Sequence, residues 1–152
     1  MSFKDGWFTP AFDPHPMGLF LLGEIQPVTH YNSDRNAPKI QKVDLDDEGN
    51  GTGMRLWKAT VTDPSADNAR QASFEVVFVA NQKPVPSAPE IAKNVRPIEL
   101  EGVTVKPKIA GSGEFKSIAW NVRATGIKGD NSGAKQPPNN VGASRPRDDK
   151  AA

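Results

Sequence analysis

Cysteine is absent from the chain, and histidine occurs only twice and tyrosine once. Without a thiol there are no disulfides, no thiolate nucleophile, no iron–sulfur cluster and no cysteine-ligated zinc site. A cysteine-free chain suits a reducing compartment, and the cytoplasm is the expected location. Long apolar runs are also missing. The longest, Met17–Gly23, falls far short of the roughly 20 apolar residues that span a membrane. The opening stretch MSFKDGWFTPAF lacks the basic and apolar regions of a secretory signal, so none is expected. Helical periodicity never lasts beyond two turns, and no repeat of domain-building length is present.

Motifs that carry chemistry are equally scarce. No glycine-rich phosphate loop of the Walker or dinucleotide type occurs, and Ala110–Glu114 (AGSGE) is too short to cradle a phosphate and precedes no helix. No serine stands in a nucleophile elbow. His15 lies between two prolines and His30 in a strand-like stretch, and neither has a carboxylate partner by motif. Asp44-x-Asp46-x-Glu48-Gly49 matches the first half of a calcium-binding loop. Its twelfth position, where a bidentate glutamate is needed, is Arg55, so a solvated hairpin turn is the better reading. The expectation is a non-enzymatic chain with no catalytic residues, no metal and no cofactor.

What the sequence does have is turns. Gly and Pro supply 13 and 14 of 152 residues, while the apolar fraction is 36%, below the usual level of about 45–50%. Six stretches read as strands: Leu19–Tyr31, Lys39–Leu45, Met54–Thr62, Gln71–Ala80, Ile98–Ile109 and Phe115–Ile127. The first is expected to bend at Gly23 or Pro27, and the fifth at Gly102. Asp46–Gly53 (DDEGNGTG) reads as a hairpin turn and Glu90–Asn94 as a short helical turn. In Gln71–Ala80, Phe74, Val76 and Phe78 share one face; in the last strand Ile118, Trp120, Val122 and Ala124 do, which makes Trp120 a core candidate. The fold class is therefore all-β. The expected architecture is a small, strongly bent antiparallel barrel of five to six strands, like the oligonucleotide/oligosaccharide-binding (OB) fold, with an open sandwich as the alternative.

Composition divides the chain into an aromatic, proline-rich leader (1–17), a β-domain (18–128) and a tail (129–152). The tail is too polar to offset its ordering entropy and reads as disordered. The leader holds Phe3, Trp7, Phe8 and Phe12, a set expected either to fold over the domain or to dock on a partner. From Lys128 onward five basic residues face three acidic ones, leaving 14 basic against 15 acidic before it. A globular part without net positive charge argues against strong non-specific binding to duplex DNA. A local patch is different. Tyr31, Arg35, Lys39, Lys42, Arg55, Trp57 and Lys58 fall within one hairpin and its lead-in, and Arg123, Lys106, Lys108 and Lys116 extend them if their strand faces turn outward. Basic and aromatic side chains on strands 2–3 of an OB-like barrel suit single-stranded nucleic acid, the bases stacking and the phosphates meeting cations. Trp57 also alternates with Ala59 and Val61, so a place in the core is open to it. A protein–protein contact is the competing use of the same surface, no membrane partner is expected, and the oligomeric state is not legible.

Several phrases, in their present order, carry a family resemblance. They are LLGEI (Leu21–Ile25), KIQKVD (Lys39–Asp44), GMRLWKATVTDP (Gly53–Pro64), SFEVVF (Ser73–Phe78), PVP (Pro84–Pro86), RPIELEGVTVKP (Arg96–Pro107) and NVRATGIK (Asn121–Lys128). Over about Gly18–Lys128 the chain resembles the plasmid replication, integration and excision activator family of actinobacterial integrative and conjugative elements. It departs from that pattern in a longer glycine turn before Gly53. The resemblance implies an accessory or activator of replication, integration and excision of a mobile element, and it carries no catalytic residues. Two modes of action are expected from it: binding of single-stranded DNA or of replication proteins, or transcriptional activation through protein contacts. No helix-turn-helix is present to read a promoter.

Overall fold

The computed structural model describes residues 6–130 and 132. Most of the tail read as disordered, and Phe3 of the leader, lie outside the described residues. The described residues form eight strands: β1 (Leu19–Pro27), β2 (Leu56–Thr62), β3 (Ser73–Val79), β4 (Val95–Ile98), β5 (Leu100–Glu101), β6 (Thr104–Ala110), β7 (Ser117–Ala124) and β8 (Gly126–Ile127). Six of them make one sheet in the order β4-β1-β2-β3-β7-β6, and β5 pairs with β8 in a second, two-stranded one. The all-β expectation holds, but the sheet is not purely antiparallel. β3 and β7 run parallel, with Val76 opposite Val122 and Phe78 opposite Ala124.

The alternation in β3 fixes which face is buried. Val76 and Phe78 are fully buried, and Phe74 packs against the same cluster. They meet Leu19, Leu21 and Ile25 of β1, Ala59 and Val61 of β2, Ile98 of β4, Val122 and Ala124 of β7, and Ile127 of β8. Burial of a side chain the size of Phe78 contributes roughly 1.5–3 kcal/mol relative to an exposed one. β1 bends where expected. Leu22 faces Thr60 and Gln26 faces Lys58, so β1 carries two extra residues around Gly23, whose φ is +74°. An even offset keeps Leu19, Leu21 and Ile25 on one side. The Gly23 N–H leaves the β1–β2 ladder and donates to Asn94 O at 2.9 Å, while Leu19–Leu22 pair with β4 on their other edge.

The two end strands of the six-stranded sheet, β4 and β6, come from one stretch of chain, Val95–Ala110. It first pairs with β1, then through β5 with β8, then through β6 with β7. Gly102, with φ +63°, makes the bend, and a Cβ there would overlap the Thr125 hydroxyl.

Other expectations are corrected. Lys39–Leu45 forms no strand, only isolated bridges of Gln41 to Thr29 and of Val43 to Arg55. Its apolar residues Ile40, Val43 and Leu45 do not keep a period of two, so no register buries all three, and all are exposed. Glu90–Asn94 is a tight reversal closed by the Ala92–Val95 bridge, with Asn94 left-handed at φ 60°, not a helical turn. The leader folds back onto the domain: Phe8 bridges Val105 through two backbone hydrogen bonds of 2.8 Å. Asp130, placed in the tail by composition, is buried and accepts the Val85 N–H at 3.1 Å.

Candidate functional site

Without a strand at 39–45, the β1–β2 connection folds back on itself through scattered backbone bonds. His30 N–H reaches Ile40 O at 3.0 Å and Lys42 N–H reaches Val28 O at 2.7 Å. Between the two limbs lies an open cavity of about 610 Å³, lined among others by His30, Tyr31, Arg35, Lys39 and Lys42. Tyr31 is 91% exposed. Arg35, Lys39 and Lys42 are exposed, and none joins an ion pair among the described residues. Asp34 is the one acidic residue lining the cavity, and its carboxylate already accepts the Asn36 N–H at 2.9 Å. Three cations and a bare aromatic ring therefore face solvent together.

The other four residues singled out in the sequence lie elsewhere. Trp57 packs against the core cluster, and its indole N–H donates to Ala80 O at 2.9 Å. Trp57 is half-buried, one side against the core. Arg55 is exposed at the bridge to Val43. Lys58 sits on the outer face of β2, in a cross-strand row with Gln26, Val77, Arg123 and Thr104. Arg123, in that row, is occupied. Its Nη1 lies 2.9 Å from the Asp44 carboxylate, and its guanidinium sits 4.4 Å from the ring centre of Trp7. Burial pushes the Asp44 carboxyl up, but the Thr52 N–H and hydroxyl and the Arg123 charge outweigh it and hold it below its ordinary value.

The acidic turn is closed by its own hydrogen bonds. Asp46 Oδ1 accepts the N–H groups of Glu48 and Asn50 at 2.9 and 2.8 Å, and Asp44 is engaged by Thr52 and Arg123. His15 has a carboxylate partner that no local motif showed: its Nδ1 lies 3.1 Å from Asp63 Oδ2, and its ring stacks on Phe74 with centroids 5.4 Å apart. The Ser65 hydroxyl donates to the same carboxylate at 2.6 Å. Since it bonds to Asp63 and not to the imidazole, the trio lacks the serine-to-base bond of a nucleophilic triad.

Of one surface, sequence reasoning named the lysines Lys106, Lys108 and Lys116 but missed the exposed apolar ladder beside them. β6 and β7 form a hairpin whose inward alternation continues past the end of the core: Val105 opposite Val122, then Pro107 opposite Trp120, then Ile109 opposite Ile118. Val122 is buried, but Trp120 is 54% exposed, Ile109 and Ile118 are 74% and 73% exposed, and Phe115 at the turn is 87% exposed. Trp120, expected in the core, shares the face of Val122 but not its cover. Alternation along a strand identifies a face, not how far the core extends beneath it. The signal that could have found the whole surface was charge: Lys106, Lys108 and Lys116, already expected to extend the patch, stand against Glu114 alone over residues 104–121. No family model, no curated protein and no solved structure matches the chain.

Proposed function

We propose that this chain is a non-enzymatic binding module for single-stranded nucleic acid, built on an OB-like barrel and serving replication, integration and excision of a mobile element. The strand path supports the barrel. β1, β2 and β3 form a meander, the third runs parallel to β7, and β6 returns alongside β7 in a chain segment whose start, β4, lies against β1. Treated as one bent strand, Val95–Ala110 joins the two ends of the sheet and leaves a five-stranded closed circuit. In that architecture the first loop flanks the binding face, and here the first loop carries the cavity.

The observation that carries the reading is that cavity: Tyr31 bare beside Arg35, Lys39 and Lys42, none ion-paired among the described residues. An exposed aromatic plane with adjacent cations is the equipment for unpaired bases and phosphates, each stacked base being worth roughly 1–3 kcal/mol. The resemblance of several phrases to the replication, integration and excision activators suggests the setting, in which single strands arise at rolling-circle origins and excision sites.

The test is fluorescence anisotropy with a labelled oligothymidylate. Tyr31→Ala is expected to weaken binding by about 5- to 100-fold. Lys39→Ala and Lys42→Ala should each lower the salt slope by about one. Full affinity in a Tyr31→Ala, Arg35→Ala, Lys39→Ala variant would remove the cavity from the site. No binding by the unaltered protein at low salt would favour action through protein contacts, to be sought by pull-down with initiator and excision proteins.

A further inference from the structure

We propose that the β6–β7 hairpin arm is a second contact for the same single strand, with Trp120 and Phe115 stacking on bases and Lys106, Lys108 and Lys116 meeting phosphates. The proposal rests on the single-strand reading above and adds a surface to it. An apolar ladder that runs off the core and leaves Trp120 half-exposed and Ile109, Ile118 and Phe115 largely bare is costly to display in water and marks a place where something docks. Charge narrows what that is. Over residues 104–121 three lysines stand against one glutamate, and no ion pair engages those lysines among the described residues. An isologous pairing of two copies through this arm would set those lysines against their own images, whereas a polyanion complements them.

The face itself argues for unpaired bases. Pro107, Ile109, Ile118 and Trp120 offer one indole N–H and otherwise only carbon, poor equipment for reading base edges in a duplex groove. A π-face accepts any base once the base is free to stack. Lys106 and Lys108 alternate onto the reverse face of the ribbon, opposite Asn121 and Ala119, from where their long flexible stems reach past its edge. Gly111 and Gly113, at φ +87° and +61°, form the tight tip that leaves Phe115 clear of the ribbon.

Trp120→Ala, Phe115→Ala and the conservative Trp120→Phe are compared in the full-length protein on oligothymidylate and on an abasic strand of equal length, with light scattering for mass. Trp120→Ala is expected to weaken oligothymidylate binding by about 5- to 100-fold, with Trp120→Phe retaining most of the affinity. On the abasic strand all three should bind like the unaltered protein, since stacking is gone for every one of them. If Trp120→Ala and Phe115→Ala keep full affinity while Tyr31→Ala loses it, the arm is not a contact and the single-strand reading stands. If they instead convert a dimer to a monomer with strand affinity unchanged, a second copy covers the arm. If the unaltered protein binds no strand at low salt, both the arm proposal and the reading beneath it fall.

Discussion

Arg123 meets a carboxylate and an indole at once, and this joins three distant parts of the chain: β7, the end of the β1–β2 connection and the leader. Each contact removes a charge from solvent only because it supplies a partner. Asp44 is anchored twice more, by the Thr52 N–H at 3.1 Å and hydroxyl at 2.9 Å. Replacing Asp44 with Asn is therefore expected to destabilise the fold by roughly 1–3 kcal/mol at neutral pH, measured by urea unfolding. Because the folded-state pKa of Asp44 is lowered, its contribution is fully present above the unfolded value of about 3.9 and is lost as pH falls through the folded one. The gap between Asp44→Asn and the unaltered protein should therefore close below about pH 4. Asp63 acts in the same direction: burial raises it, but the Ser65 and His15 hydrogen bonds hold it down. The two long-range partnerships were not legible in the sequence. Arg123 and Asp44 are 79 positions apart and His15 and Asp63 48 apart, and a local motif records only neighbours.

At the scale of elements, β3 and the β6–β7 hairpin show where sequence patterns succeed and where they stop. β3 read correctly because Phe74, Val76 and Phe78 alternate over a strand whose inner side is covered throughout. Gly23 and Gly102 read correctly as bends because each takes a left-handed φ, of +74° and +63°, that other residues adopt only at a cost. β7 alternates just as well, but half of it leaves the core. The parallel β3–β7 pairing escaped notice because strand composition does not encode which distant strand becomes the neighbour. An arm with exposed ladder bonds and little cover opens locally at low free energy. Amides of Lys108–Phe115 are accordingly expected to exchange with deuterium far faster than those of Val76–Phe78, as followed by hydrogen-exchange NMR. Equal protection would mean that the arm is held down in solution by a contact with another molecule.

The whole molecule combines a covered core with two uncovered basic–aromatic surfaces, the cavity of the first loop and the hairpin arm. The sequence placed four of its eight candidate residues, Tyr31, Arg35, Lys39 and Lys42, at one site, because they lie within twelve positions of one another in a connection that stays open. Of the arm, it named the lysines but mistook Trp120 for core. In the proposed barrel these surfaces belong to the loops that join the first two and the last two strands, which flank the binding face of an OB-like fold. The most direct test of single-strand binding is a titration of labelled single strand and of duplex of the same sequence against rising salt. The expected result is tighter binding of the single strand, with log Kd rising linearly with log salt. No binding at low salt, or equal binding of the duplex, would contradict it.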